Sequence, residues 1–195
     1  MTPDKQKLAL LTGAAGVLGH ETARGLAADG YRVIMVDLDG NKLETLARDI
    51  GAGAFPLVLD VADPQKVAEA CEKIRQDLGQ VSVLINNAGV LSNHKAADTT
   101  SAEWRRILAI NLDGAFYLCR EWLPSMKANN WGRIINMLIG YEDRRFNGRD
   151  SLYHLQRGHG FPDVFAGPGI RGAWRYREWH RPGLHQDPDG DGTID

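Results

Sequence analysis

Residues Leu8 to Gly19 hold the first chemistry that the sequence offers. A short apolar run, Leu8 to Thr12, leads into a glycine-rich turn, and Val17, Leu18, Thr22, Ala23 and Leu26 then recur at helical spacing. The order is strand, tight turn, helix. Such a turn leaves backbone N–H groups and a helix N-terminus facing open space, which suits a pyrophosphate. Gly13 can take a turn conformation closed to other residues, and Gly19 lets the helix pack close to the strand. The candidate phosphate cradle is therefore Gly13, Gly16, Val17, Leu18 and Gly19. A purely structural turn is the alternative, and the flanking strand and helix favour the cradle.

Tyr31 to Asp37 reads as a second strand. Its last residue is an acid about twenty positions past the turn, where a carboxylate accepts hydrogen bonds from both ribose hydroxyls of adenosine. The same charge repels a 2′-phosphate, so Asp37 argues for NAD over NADP. An ordinary acid at a strand end is the competing reading.

The elements that position these residues follow in order. Residues 40–50 read as a helix carrying Leu43, Leu46, Ala47 and Ile50 on one face. Ala54 to Val61 is a third strand with Asp60 near its end. Asp63 caps a helix that has Pro64 at its first position and runs to about Leu78. Val81 to Gly89 is a fourth strand ending in the polar turn Asn86, Asn87, Ala88, Gly89. Ser101 and Glu103 open a long amphipathic stretch from about 102 to 129. Trp104, Ile107, Leu108, Leu112, Phe116, Cys119 and Leu123 form its expected core stripe. Gly132 to Met137 is a fifth strand. Alternation of strands and helices predicts an α/β fold, a Rossmann-type doubly wound parallel sheet truncated after its fifth strand and followed by an irregular tail. Gly13, Asp37, Asp60 and Asn87 all fall at carboxyl ends of strands, where such sheets bind ligands. Residues 1–137 are expected to form one dinucleotide-binding domain.

The composition narrows the class. A chain of 195 residues with 43% hydrophobic and 25% charged residues supports one domain with a real core. A net charge of −2 gives no electrostatic reason to expect nucleic acid or an anionic membrane as partner. No apolar run reaches membrane-spanning length. Cys71 and Cys119 read as buried thiols in a reducing compartment, so the expected location is cytoplasmic.

With these strings in place, the sequence resembles the short-chain dehydrogenase/reductase family over residues 6–137. The resemblance rests on Thr12, Gly13 and Gly19, on Asp60 and Val61, on Asn86 to Gly89, and on Asn111 within Ile110 to Gly114. It implies a nicotinamide cofactor, NAD(P), and hydride transfer to or from the carbon of a carbonyl or secondary alcohol. By resemblance Gly13 and Gly19 line the pyrophosphate, Asp37 takes the ribose, and Asp60 with Val61 contacts adenine. Asn87, Ala88 and Gly89 flank the cofactor, and Asn111 belongs to the catalytic set. The family's middle glycine of the turn is replaced by Val17, with Gly16 one place earlier.

The family also uses a serine, a tyrosine thirteen residues later and a lysine four residues after that. Here Leu138 and Ile139 stand where the serine belongs. Tyr153 and Arg157 have the four-residue step, but Gly158, Gly160 and Pro162 leave no helix to hold them. Residues 138–195 carry eight Arg and no Lys, against eight Arg and seven Lys in residues 1–137. They also hold four of the six His and ten of the 22 Gly. Periodicity vanishes after Met137, and this tail reads as aberrant and disordered.

A shift of reading frame accounts for all of this. Each tail residue's last two codon bases, joined to the first base of the next codon, can spell the family's catalytic segment. Leu138 and Ile139 can read SS. Asp150 through Arg157 can read TAYITSK, which holds Tyr-x-x-x-Lys with a serine thirteen places before the tyrosine. Tyr176 through Leu184 can read TVNGIAPG. Trp174 and Trp179 have a single codon each and are forced to glycine, where the family's segment wants one. One extra nucleotide just after the Met137 codon is the expected cause.

Two functions follow. The first is an NAD-dependent oxidoreductase acting on a small carbonyl or secondary alcohol, inactive as written because Ser and Tyr-x-x-x-Lys are missing. The second is a non-catalytic nucleotide-binding remnant or a misfolded product. The family's helix beside the tyrosine also helps build its dimer contact, so the homo-oligomer typical of the family is not expected of this chain. Asn93 to Thr99 are candidates to line the substrate pocket. Asp187 to Asp195 resembles the start of a calcium loop, but the chain lacks the bidentate Glu and a preceding helix, so no metal is expected.

Overall fold

The computed structural model describes residues 7–92, 94, 96–137 and 170–172. Six parallel strands form one sheet in the order β3-β2-β1-β4-β5-β6. They are β1 (Leu8–Thr12), β2 (Arg32–Asp37), β3 (Ala54–Val58), β4 (Val81–Asn86), β5 (Gly132–Asn136) and β6 (Ile170–Gly172). The helices are α1 (Val17–Ala28), α2 (Gly40–Ile50), α3 (Pro64–Asp77), α4 (Ser101–Leu108) and α5 (Gly114–Ala128). The chain winds outward from β1 to β3, then returns to place β4 on the other side of β1. The strand order reverses between β1 and β4, which opens a crevice at their carboxyl ends.

Burial on both faces explains the near-continuous apolar strands. β1 is buried along its whole length. Its Leu8 and Leu10 join the core under α3 and α5, with Val67, Cys71, Ile74, Leu118 and Trp122. Its Ala9 and Leu11 join the opposite core, with Ala23 of α1 and Leu43 and Ala47 of α2. Registers such as Thr12↔Val36 and Leu11↔Ile85 bring the strand ends level. Cys71 and Cys119 are free and buried. Burial pushes their thiols up to about 12 and about 11.

Several expectations need correction. The third strand stops at Val58 rather than Val61, because Asp60 turns the chain: its Oδ1 accepts from Ala62 N at 2.9 Å. The long stretch after residue 100 is not one uniform helix. A π-helical segment, Ala109–Asp113, separates α4 from α5, and the added residue per turn rotates the stripe. Phe116, expected in the core, is 40% exposed. Trp122 and Met126, outside the expected stripe, are almost wholly buried instead. α4 opens at Ser101, capped by Thr100, whose side chain accepts from Glu103 N. In α1, Val17 and Leu18 start the helix at its open end and are exposed. The tail contributes one short strand: β6 lies parallel to β5, with Gly132↔Ile170 and Ile134↔Gly172 in register.

Candidate functional site

The glycine turn is built by close contacts that a side chain would break. Gly13 has φ +65°, a left-handed conformation that favours glycine. A Cβ there would lie 2.9 Å from both Ala88 Cα and Asn87 Nδ2. A Cβ on Gly19 would overlap Gly13 O and lie 2.8 Å from Ala14 Cα. Gly19 thus admits the turn itself against the helix, a closer approach than helix on strand. At Gly16 a Cβ would meet only Gly13 O, at 3.3 Å. Gly16 is the N-cap of α1 and offers no side-chain cap, and no acid lies in the first turn. By contrast Asp39, Asp63 and Thr100 cap α2, α3 and α4 with side-chain oxygens. The first N–H groups of α1 are left for another acceptor.

Asp37 joins this turn from the end of β2. Its Oδ2 accepts from Ala15 N at 3.0 Å and its Oδ1 from Leu38 N at 2.8 Å. Asp39 N also donates to Oδ1, at 3.4 Å. A carboxylate has about four acceptor sites, so one remains for a ligand's hydroxyl. Asp60 and Val61 follow β3 on the same side. Val61 is buried against Gly114, where a Cβ would come within 2.9 Å of Val61 Cγ2.

Thr12 ties β1 to β4. Its hydroxyl accepts from Asn87 N at 3.0 Å and Ala88 N at 2.9 Å. It donates to Ile85 O at 3.5 Å. Asn87 Nδ2 returns the contact, donating to Thr12 O at 3.0 Å and Gly13 O at 3.2 Å. Asn111 sits in the π-helical segment and faces the next stretch of the β4 loop. Its Nδ2 donates to Val90 O at 2.9 Å, and its Oδ1 accepts from Val90 N at 2.8 Å. This reciprocal pair holds the chain just past Gly89.

The structure therefore gathers Gly13, Gly16, Val17, Leu18, Gly19, Asp37, Asp60, Val61, Asn87, Ala88, Gly89 and Asn111 around the carboxyl end of the sheet. Sequence reading assigned no structural task to Thr12, Gly114, Asn86 or Asn136. Asn86 Nδ2 donates to Asn136 Oδ1 at 2.8 Å across β4 and β5. A polar residue ending each of two apolar strands was the available signal. Of the candidate pocket segment, Asn93 and Lys95 lie outside the described residues. Leu138, Ile139, Tyr153, Arg157, Trp174, Trp179 and the Asp187–Asp195 loop lie outside them too. No group of three or more His, Cys, Asp or Glu among the described residues is arranged to hold a metal. No helix among them is long and apolar enough to cross a membrane.

Comparison with known proteins agrees with this geometry. Residues 7–145 match the family described as short chain dehydrogenase. The chain is 35% identical over 130 residues to galactitol 2-dehydrogenase (L-tagatose-forming) of Cereibacter sphaeroides, covering 66% of this chain and 51% of that protein. It is 34% identical over 131 residues to the 3-oxoacyl-[acyl-carrier-protein] reductase FabG of Escherichia coli K12, covering 67% and 54%. A metagenomic short-chain oxidoreductase crystallised in complex with NADP superposes with a TM-score of 0.71 at 26% identity, over 86% of this chain and 80% of that one. The chain belongs to the short-chain dehydrogenase family and has its Rossmann-like α/β fold. It spans about half the length of the curated relatives it matches.

Proposed function

We propose that this chain carries the dinucleotide-binding part, residues 1–137, of an NAD-dependent oxidoreductase for a small carbonyl or secondary alcohol. The observation that carries the reading is the glycine turn: an uncapped α1 N-terminus beside Gly13 and Gly19, with Asp37 bonded to Ala15 N. These groups fit a dinucleotide. The N–H groups of Val17, Leu18 and Gly19 at the uncapped start of α1 would hold the pyrophosphate. Asp37 would take the adenosine ribose, and Asp60 with Val61 would border the adenine. Asn87, Ala88 and Gly89 would flank the nicotinamide half, and Asn111 holds the chain at Val90 beside it. When bound, the nicotinamide supplies or accepts the hydride.

NAD is favoured over NADP because Asp37 would face a 2′-phosphate with like charge. Isothermal titration should give NAD the tighter Kd by about tenfold or more, a difference of about 1.4 kcal/mol. Asp37→Ala should narrow that ratio. Equal affinities for the two cofactors in the unaltered chain would overturn the preference.

Proton transfer is a separate matter. No serine stands directly after β5, where Met137, Leu138 and Ile139 follow, and no lysine occurs after Met137. The chain as written is inactive on this reading, because one nucleotide just after the Met137 codon throws the catalytic segment out of frame. The forced glycines at Trp174 and Trp179 support this. Sequencing the coding DNA across that junction from an independent preparation tests it. A surplus base makes the intact protein an ordinary dehydrogenase of this class. An unshifted frame, or stops in the alternative one, leaves a nucleotide-binding remnant. Two free buried thiols favour a reducing, cytoplasmic location.

A further inference from the structure

Asn86 ends β4, one residue before the turn of Asn87, Ala88 and Gly89, and is only 7% exposed. Its Nδ2 donates to Asn136 Oδ1 and lies 3.6 Å from Cys119 Sγ of α5. Its Oδ1 is buried and has no hydrogen-bond partner. A cavity of about 40 Å³ adjoins it, lined in part by Thr12, Asn86, Ala88, Asn111, Asn136 and Met137.

An amide oxygen withdrawn from bulk water needs a donor, since otherwise it forfeits its hydration. The polar neighbours are otherwise engaged. Thr12 directs its hydroxyl hydrogen to Ile85 O, and Asn111 pairs with the backbone of Val90. The occupant must be small, because the space is on the scale of a single water, about 30 Å³. It must also donate a hydrogen bond, which rules out a simple anion. Polar cavities of this size hold ordered water, whereas apolar ones stay dry.

We propose that the cavity between the ends of β4 and β5 and the start of α5 is a buried-water site. The water donates to Asn86 Oδ1 and accepts from Asn136 Nδ2, which has no other partner among the described residues. It completes the link between β4 and β5 at the carboxyl end of the sheet. The inference is independent of cofactor and of turnover.

The test uses the full chain labelled with ¹⁵N. Nuclear Overhauser spectra in water should show a long-lived water contact at the Asn86 side-chain amide protons. Oxygen-17 relaxation dispersion should count one fewer slowly exchanging water in Asn86→Leu. Absence of that contact in the unaltered chain overturns the proposal. So does an unchanged water count in an Asn86→Leu chain that folds. Should Asn86→Leu fail to fold, the contact in the unaltered chain decides alone. A chain with no dispersed amide spectrum has no such cavity and overturns the proposal as well.

Discussion

The carboxyl ends of β1 and β5 face the same side of the sheet and are built on different plans. At β1 the backbone does the work. Gly13 and Gly19 bring turn and helix into contact, and Thr12 fastens Asn87 and Ala88. The side chains there are small or serve to hold backbone in place. At β5 the strand ends in Asn136, with Met137 following, and the family's chemistry past that point belongs to side chains distant in sequence. Main-chain recognition of a phosphate is specified within a dozen or so residues. Proton transfer needs particular side chains brought together from separated positions. The shift of frame proposed after Met137 would spare the first plan and remove the second.

The sharpest way to break this contrast is to restore the frame. On the proposed reading, removing one base just after the Met137 codon should raise NAD-linked turnover of a panel of secondary alcohols by about 10²–10⁴-fold, the usual contribution of general acid–base catalysis. The Kd for NAD should change far less, since the turn at β1 is common to both chains. Equal turnover before and after the correction would show that proton transfer does not reside beyond β5.

A second test removes the support beneath both ends. Trp122 is wholly buried in α5, with the Arg75 guanidinium 4.9 Å from its ring. Arg75 in turn donates to Glu121 Oε2 at 2.7 Å. Trp122→Ala should cost about 3–5 kcal/mol in a urea melt. Because Trp122 belongs to the core under α3 and α5, hydrogen exchange should rise more in those helices than in α1 and α2. Uniform loss of protection would mean that the two cores unfold as one.

How much of this was legible in the sequence follows from the same physics. Strands buried on both faces show as unbroken apolar runs, so β1, β2 and β4 stood out. Asp39, Asp63 and Thr100 start helices by capping their N-termini, and Asp63 with Pro64 was readable as such. Gly13 and Gly19 were legible because strand and helix bracket them. Phe116 was misplaced because the π-helical segment adds a residue to one turn, a change that a fixed helical period does not register. The task of Thr12 was hidden because its partners lie more than seventy residues away. The same holds for Asn86 and Asn136, which meet only once β4 and β5 are paired. The three-residue β6 carries no sequence period long enough to be read.

Thr12→Val tests the fastening at β1 alone. The substitution keeps the shape but leaves Asn87 N and Ala88 N without their acceptor. Unpaired buried donors cost about 1–3 kcal/mol. The loss should appear in thermal melts and as weaker NAD binding, because the turn that flanks the cofactor is no longer held. A stability loss with unchanged affinity would separate the scaffold from the site.

The smallest effect concerns the loop after β4. Ser92 Oγ donates to Glu103 Oε1 at 2.7 Å, and His94 Nδ1 lies 2.8 Å from Glu103 Oε2. The Ser92 hydrogen bond, then that of His94, holds the Glu103 carboxyl below its ordinary 4.5. Arg106 on α4 adds a weaker attraction. A depressed carboxyl contributes stability above its unfolded value, and the contribution is lost as pH falls through the folded value. Glu103→Gln should therefore speed hydrogen exchange at Ser92 and His94 near neutral pH. The difference from the unaltered chain should vanish as pH drops below 4.5. The group is partly exposed, so the change should be local, leaving the exchange of β1 and the Thr12 network untouched. A change reaching Asn87 and Ala88 would instead couple this loop to the rigid end of the site.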